Sequence, residues 1–154
     1  MPELIRPELN ELSFLSKMLG SRRTMDWCGS TISFPKDKWA DFYKEYVEAD
    51  PKDKFFRLIY CPGCNDFVGA VCYQWNQEFS RYDLGLLIDA GRRFCGYGRW
   101  ALEAIKKTAA KSGISSLWVT IQKSNTAIDF LEKYGFVKEK EDGEILLEYC
   151  ELSA

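Results

Sequence analysis

The stretch IDAGRRFCGYGRWA, residues 88–101, joins an apolar run to a segment with helical spacing. Within it, Arg92 and Arg93 precede two closely spaced glycines, Gly96 and Gly98. A strand that leads through a glycine-rich turn into a helix directs backbone N–H groups and a helix N-terminus at an anion. The stretch therefore predicts a binding site for a phosphate-bearing ligand.

Three classes of phosphate ligand use such a turn. A nucleoside-triphosphate P-loop needs Lys and then Ser or Thr after the last glycine, whereas Arg99 and Trp100 stand there. A dinucleotide site matches GxGxxA at residues 96–101, but it also needs an acidic residue at the end of the next strand, where residues 120–122 are Thr-Ile-Gln. The third class is a coenzyme A pyrophosphate, and residues 93–98 follow the pattern RxxGxG directly after a strand.

Hydrophobic spacing and turn residues predict the elements on both sides of this turn. Gly113 and Gly135 are expected to end the two later helices. The order predicts an α/β (α+β) fold, with a mixed, mostly antiparallel sheet of about six or seven strands, about four helices and one parallel βαβ crossover. Expected strands lie near residues 4–6, 55–60, 67–73, 82–88, 116–121, 136–140 and 145–150, and expected helices at 9–19, 35–47, 97–112 and 126–134.

A second motif, NTAIDFLEKYGF at residues 125–136, follows the glycine turn at a defined spacing. Together with RxxGxG and the element order, it resembles the GNAT superfamily of acyl-CoA-dependent N-acetyltransferases, most strongly from about residue 83 to residue 136. The resemblance implies a single GNAT-like domain over residues 1–154. It also implies that an acetyl group passes from acetyl-CoA, the co-substrate, to a primary amine of a small molecule, peptide or protein.

The resemblance also implies which residues hold acetyl-CoA. The strand before the turn would splay from its neighbour at a bulge and pair with the pantetheine arm, and backbone amides of the following loop would hold the pyrophosphate. Arg93 holds the family's arginine position and either braces the loop or pairs with phosphate, while Asn125 stands one residue beyond the usual asparagine. The implied cofactor residues are Leu86, Leu87, Ile88, Arg93, Phe94, Cys95, Gly96, Tyr97, Gly98, Arg99 and Asn125.

The implied reaction is direct attack of a neutral amine on the thioester, which requires a base and an acid. The family commonly places a tyrosine as the acid four residues before the Gly-Phe pair, where this chain has Leu131. Tyr134, nearly one helical turn further on, is the candidate substitute, with side-chain packing as its alternative role. Asp83 is the candidate base because it is the carboxylate nearest the expected splay, and Glu78 is the second candidate. Since Leu131 cannot donate a proton, a non-catalytic acyl-CoA-binding module is the alternative function.

The acceptor site is expected between the N-terminal helices, residues 22–29 and the strands around residue 73. Acidic side chains there would favour a cationic amine, namely Asp26, Glu78 and Asp83. The candidate walls of the site are Trp27, Trp39, Tyr73 and Trp75.

Charge and segment composition restrict the partners. The formal net charge of −2 provides no basic field for nucleic acid or for an anionic membrane surface. Residues 1–6 lack the features of a secretion signal, so a cytoplasmic location is expected. An amine substrate is the expected partner, neither nucleic acid nor membrane is expected, and a homodimer is left open.

The chain has 6 cysteines and no histidine. Cys61 and Cys64 form the motif CPGC between two apolar runs, where Pro-Gly followed by Asn-Asp is typical of a hairpin turn. A zinc site would need two further ligands, and no second CxxC is present, so no metal is expected. A turn with free thiols is the favoured interpretation, and a thiol-redox or metal protein is the alternative.

Overall fold

The computed structural model describes residues 1–153, which contain one 7-stranded sheet. The strands are β1 Glu3–Ile5, β2 Lys54–Cys61, β3 Asp66–Asn76, β4 Arg81–Ile88, β5 Ser116–Gln122, β6 Val137–Asp142 and β7 Ile145–Glu151. The helices are α1 Leu12–Leu19, α2 Trp39–Phe42, α3 Tyr97–Lys111 and α4 Ala127–Lys133.

The strands lie in the order β1-β2-β3-β4-β5-β7-β6. Strands β4 and β5 run parallel and are connected through α3, whereas the other neighbouring pairs within residues 1–153 are antiparallel. A parallel pair requires such a long crossover connection, and the antiparallel pairs β2–β3, β3–β4 and β6–β7 are joined by turns. The predicted mixed sheet, with its single parallel crossover and four helices, is confirmed.

Each face of the sheet carries its own hydrophobic cluster. On one face, α3 buries Ala101, Leu102 and Ile105 against the sheet, together with Leu117 of β5 and Phe136. On the other face, α1 and the helical segment around α2 cover a second cluster. Because strand side chains alternate between faces, this division shows which face each residue of β4 occupies.

The second predicted helix is irregular. A 3₁₀ turn, Lys36–Lys38, precedes α2, and a π turn, Tyr43–Val47, follows it. The backbone N–H of Glu48 accordingly bonds to the carbonyl of Tyr43 at 3.0 Å, five residues back. The aromatic side chains of this segment pack against the core, and Val47 at its end is 2% exposed.

The two later helices end as predicted. Gly113 and Gly135 have φ values of +84° and +104°, in the left-handed region that favours glycine. After Gly135, the N–H of Phe136 bonds back to the carbonyl of Leu131 at 3.0 Å. Among the helices of residues 1–153, none combines the length and apolar character that crossing a bilayer requires.

Candidate cofactor and acceptor site

Strands β4 and β5 meet at one end and then diverge. Their ladder consists of one residue pair, Asp83 with Trp118. Beyond it, Leu86, Leu87 and Ile88 have no partner on β5 within the described residues. Backbone polar groups of a strand need partners, so this opening offers main-chain donors and acceptors to an extended ligand with amide groups. The sequence-based prediction of a splay is therefore confirmed in position.

The bulge expected at the splay is not present. Strand β4 pairs with β3 without interruption from Arg81–Asn76 to Ile88–Gly69. Gly85 allows this regular register, because a Cβ added there would lie 2.6 Å from the Sγ atom of Cys72. The gap therefore arises because β5 turns away from β4, and the expectation of a bulge was wrong.

The loop after β4 leaves backbone donors unused at the start of α3. Gly96 precedes the helix with φ +86° and makes no side-chain cap. The first N–H bonded back into the helix is that of Trp100, to the carbonyl of Gly96 at 3.1 Å. The three preceding helical N–H groups, of residues 97–99, have no acceptor within a helix of this geometry. A 15-residue helix with open N–H groups favours an anion at this end.

The two glycines of the loop serve different needs. Gly96 is required by its positive φ, although a Cβ there would have nothing within 4 Å. Gly98 lies in the first turn of α3, and a Cβ there would be 3.5 Å from Cζ of Phe130, an ordinary contact. The fold therefore tolerates a small side chain at position 98, so close approach by a ligand is the better reason for glycine there. Phe94 projects into solvent, fully exposed, with φ +64°.

Arg93 braces the loop by holding the N-terminal segment 23–27. Its guanidinium donates to the carbonyl of Thr24 at 2.5 Å and to Asp26 Oδ1 at 3.3 Å, and it lies 4.2 Å from the ring centroid of Trp27. The Thr24 hydroxyl also donates to Asp89 at 3.3 Å. Of the two roles expected for Arg93, these contacts support bracing. The guanidinium already has hydrogen-bond partners in the N-terminal segment, on the side where the amine substrate is expected.

The candidate base, Asp83, faces the α1 side of the sheet. Its neighbours Tyr82 and Leu84 pack in the α3 cluster, so strand alternation places Asp83 on the opposite face. Its carboxylate accepts from Arg81 Nε at 2.9 Å and from Asn76 Nδ2 at 2.8 Å. Glu78, the second candidate, is exposed in the turn between β3 and β4.

The candidate acid, Tyr134, follows the last turn of α4. Its ring lies 5.5 Å from the Arg99 guanidinium and packs edge-on against Phe130, with 5.1 Å between ring centroids. These contacts place it beside the first turn of α3. Leu131, at the family's tyrosine position, is 6% exposed and belongs to the core.

Asn125 begins the turn into α4. Its Oδ1 accepts from the N–H of Ala127 at 2.9 Å, which caps a free donor at the start of the helix. The contact gives Asn125 a structural role that the resemblance had not included. Cys95, in the loop before α3, is exposed.

The four aromatic residues expected to line the amine site differ in exposure, and some of them belong to the core. Trp27 is 38% exposed beside Arg93, whereas Tyr73 is fully buried and donates its hydroxyl to the carbonyl of Pro51 at 2.6 Å. Tyr73 is therefore a core residue, and its assignment as a wall was wrong because the interior supplies an acceptor for its hydroxyl. Trp39 packs in the α1 cluster, and Trp75 packs edge-on against Tyr82.

The CPGC motif lies next to the start of α3, which the sequence did not predict. Residues 62–65 form the turn between β2 and β3, as expected, and the cysteines are free thiols. The Tyr97 hydroxyl at the start of α3 donates to Cys61 Sγ at 3.1 Å. This hydrogen bond is the largest cause that lowers the pKa of Cys61 to about 7. Within the described residues, no group of three or more Cys, Asp or Glu side chains is arranged to hold a metal.

Glu148 is a buried carboxyl that sequence reasoning missed. It lies on β7 and is 1% exposed, and both of its carboxyl oxygens lack a hydrogen-bond partner within the described residues. Burial, and then the charge of Glu132, raises its pKa. The sequence contained a signal for this burial. Glu148 lies two residues from Leu146 and two from Cys150, so on a strand it shares their inward-facing side.

Replacement of Glu148 by glutamine is expected to remove a pH-dependent loss of stability. A carboxyl whose pKa is higher in the folded state contributes its full stabilisation of that state when the pH is below the unfolded-state pKa of 4.5. This contribution is lost as the pH rises through the folded-state pKa. At neutral pH the variant should therefore have a higher Tm than the wild type, and the difference should disappear at low pH. Calorimetry across the pH range measures it, with the exposed Glu151→Gln as control. Equal pH profiles for wild type and Glu148→Gln would contradict the assignment.

Comparisons with known proteins identify a family and structures with the same fold. The family model described as Acetyltransferase (GNAT) family matches residues 23–136. Spermidine N-acetyltransferase from Vibrio cholerae, in complex with CoA and spermine, superposes with a TM-score of 0.81 at 14% identity, covering 98% of this chain and 95% of that one.

Two further structures share the fold. An acetyltransferase of the GNAT family from Streptococcus pneumoniae gives a TM-score of 0.80 at 19% identity, covering 99% of this chain and 100% of that one. PaiA N-acetyltransferase from Thermoplasma acidophilum, in complex with coenzyme A, gives 0.69 at 16% identity, covering 98% and 99%. A comparison with curated protein sequences gave no match. The family match covers most of the chain and includes both motifs, so this protein belongs to the GNAT family of acyltransferases, whose co-substrate is acetyl-CoA.

Proposed function

We propose that this protein is an N-acetyltransferase that moves the acetyl group of acetyl-CoA onto a primary amine of a small molecule, peptide or protein. The observation that carries the proposal is the opening between β4 and β5 next to the uncapped start of α3. An extended amide-bearing arm and a pyrophosphate require these two features side by side. Residues 1–154 would act as one catalytic domain, in the cytoplasm.

The cofactor-binding part of the proposal assigns roles to backbone rather than to side chains. Backbone groups of Leu86, Leu87 and Ile88 would pair with the pantetheine arm. The amides from Phe94 through Arg99, with Cys95, Gly96, Tyr97 and Gly98 between them, would hold the pyrophosphate. Arg93 supports this loop from the acceptor side, and Asn125 orders the start of α4.

The acceptor we propose is a cationic amine. Asp26 and Asp83 are each paired with an arginine, at 3.3 Å and 2.9 Å, whereas Glu78 has no ion pair within the described residues. Glu78 therefore retains an unbalanced negative charge in the turn before β4, where it would attract a protonated amine. The complex of the Vibrio cholerae relative with spermine makes polyamines sensible members of a test panel.

The chemistry we propose uses groups on the two sides of the splay. A base, Asp83 or Glu78, accepts a proton from the ammonium group. The neutral nitrogen attacks the thioester carbonyl carbon and a C–N bond forms. The C–S bond then breaks, and the nitrogen loses its second proton to water, which also returns a proton to the tyrosinate once Tyr134 has donated. Tyr134 is proposed to donate the proton that converts the departing thiolate to a thiol. The products are an N-acetylated amine and free coenzyme A.

The competing proposal is a protein that binds acyl-CoA without transferring the acyl group. Its support is Leu131, which is buried where the family places its acid, and Tyr134, whose contacts lie on α3 and α4. Thiol release from acetyl-CoA, measured with a panel of polyamines, amino acids, peptides and aminoglycosides, separates the two. Amine-dependent release supports transfer. Stabilisation by acetyl-CoA without release for any amine supports the binding module.

The oligomeric state belongs to the same proposal, with a homodimer as the form to be tested. Sedimentation in the presence and absence of acetyl-CoA measures it directly. The proposed partners are the cofactor and the amine. Nucleic acid and membranes are not among them, because the net charge of −2 provides no attraction to either.

A further inference from the structure

The CPGC turn brings two thiols and a phenol together. The N–H of Cys64 donates to the carbonyl of Cys61 at 3.2 Å, which closes the turn, and the two Sγ atoms lie 3.3 Å apart. Cys64 is exposed and Cys61 is half-buried. The sulfurs are therefore in contact, accessible from solvent, and close enough to reach the disulfide length of about 2.05 Å by a small adjustment of side chains.

The hydroxyl of Tyr97 contacts both sulfurs. It donates to Cys61 at 3.1 Å and lies 3.5 Å from the Sγ atom of Cys64. A phenol that donates to a sulfur stabilises the thiolate more than the thiol, because the acceptor charge strengthens the hydrogen bond. The pKa of Cys61 falls to about 7 for this reason, whereas the Tyr97 hydroxyl is harder to ionise, since its pKa is raised by the same contact.

The charged groups facing the turn are Arg92 and Asp66. They pair at 3.4 Å beside the thiols. Cys64 is the largest cause of a raised pKa at Arg92, so the guanidinium and a thiolate would stabilise each other. Cys72 shows the opposite case, because burial raises the pKa of its thiol to about 11. The chain thus contains a surface thiol that ionises easily, Cys61, and a partly buried thiol that is harder to ionise, Cys72.

We propose that Cys61 and Cys64 form a redox-active dithiol that low-molecular-weight disulfides convert reversibly to an intramolecular disulfide. The thiolate of Cys61 attacks one sulfur of the reagent disulfide, whose S–S bond breaks and releases one thiolate. Cys64 then loses its proton to water and attacks the Cys61 sulfur, which releases the second reagent thiolate. Two protein thiols are oxidised, and one reagent disulfide is reduced to two thiols.

The position of the pair gives this modification a direct structural consequence. Tyr97 is the first residue of α3, where the cofactor loop enters the helix. Oxidation removes the thiolate to which its hydroxyl donates. Oxidation would therefore weaken the hydrogen bond that joins the turn to Tyr97 at the start of α3. The chemical proposal itself does not depend on the proposed acetyltransferase activity.

The test treats the reduced protein at neutral pH with oxidised glutathione, then alkylates under denaturing conditions and maps each cysteine by mass spectrometry. In the wild type, a Cys61–Cys64 disulfide is expected. In Cys64→Ser the same reagent should stop at a glutathione adduct on Cys61, because the second thiol is missing. Dithiothreitol should reverse both products. Retention of two free thiols at Cys61 and Cys64 in the wild type overturns the proposal.

A rate measurement checks the activation of Cys61. Iodoacetamide should alkylate Cys61 about three to ten times faster than the exposed Cys28 and Cys95, since the larger thiolate fraction is partly offset by lower nucleophilicity. Tyr97→Phe should slow the reaction of Cys61 toward the rate of these reference thiols, while Cys72 stays unreactive in the folded protein. Equal rates at Cys28, Cys61 and Cys95 in the wild type would overturn the activation of Cys61, and an unchanged Cys61 rate in Tyr97→Phe would overturn the role of Tyr97.

Discussion

Replacement of Gly98 by glutamate is expected to abolish the thermal stabilisation that acetyl-CoA gives to the wild-type protein. A Cβ at position 98 would meet Phe130 at 3.5 Å and Ile88 at 3.9 Å, both ordinary contacts, so the variant should fold. The new carboxylate would stand where the pyrophosphate is proposed to bind and would repel it. At a ligand concentration of about 100 Kd, binding stabilises by about 2.7 kcal/mol, or roughly 5–10 °C for a domain of this size. The variant should show no shift.

Matched glycines separate the loss of binding from backbone strain. Gly96 and Gly113 have nearly equal φ values, +86° and +84°, and neither would place a Cβ within 4 Å of another atom. Glutamate at either position therefore strains the backbone to a similar degree. Gly96→Glu should lose the acetyl-CoA shift, whereas Gly113→Glu, at the far end of α3, should keep it. Full shifts in both Gly96→Glu and Gly98→Glu would contradict the cofactor assignment.

Replacement of Tyr134 by phenylalanine is expected to lower kcat by about 10²-fold, the scale of one general-acid contribution. The affinity for acetyl-CoA should change little, because the ring and its packing against Phe130 are kept. Steady-state kinetics with the best amine of the panel, together with acetyl-CoA binding, provide the measurement. Tyr46→Phe, which removes a hydroxyl from a ring stacked on Phe42 at 4.7 Å, is the control and should retain its rate.

A rate within about twofold of wild type, far below the general-acid scale, would refute the role of Tyr134. The thiolate would then leave with water as the proton source or without protonation, since a thiol pKa of about 8.5 makes it a tolerable leaving group. That result would leave acetyl transfer itself intact. It would also agree with the position of Tyr134 beside Arg99 in the first turn of α3.

The fold was predictable because local signals and long-range packing agree. Apolar residues spaced as on one helical face, such as Ala101, Leu102 and Ile105, are the residues that α3 buries. Gly113 and Gly135 end their helices at positive φ, as their sequence context indicated. The π turn after α2 was not predictable, because the same aromatic spacing suits a regular helix equally well.

The parts of the site that depend on backbone geometry could be predicted from the sequence. The parts that depend on contacts between side chains and distant segments could not. The RxxGxG motif located the uncapped helix start. The partner of Arg93, however, is a carbonyl 69 residues away, and Tyr97 meets Cys61 across 36 residues. No local pattern encodes such contacts. Tyr73 was misassigned for the same reason, since its hydroxyl partner lies on a separate segment.

Transfer of an isotope-labelled acetyl group tests the central claim most directly. The protein is incubated with labelled acetyl-CoA and the amine panel. Mass spectrometry then measures the labelled acetyl group on each amine, and free coenzyme A is quantified in parallel. The account predicts labelled acetyl on the nitrogen of at least one cationic amine, in equal amount to the coenzyme A released, with both products lost in Gly98→Glu. Binding of acetyl-CoA by the wild type without labelled product for any amine would contradict it.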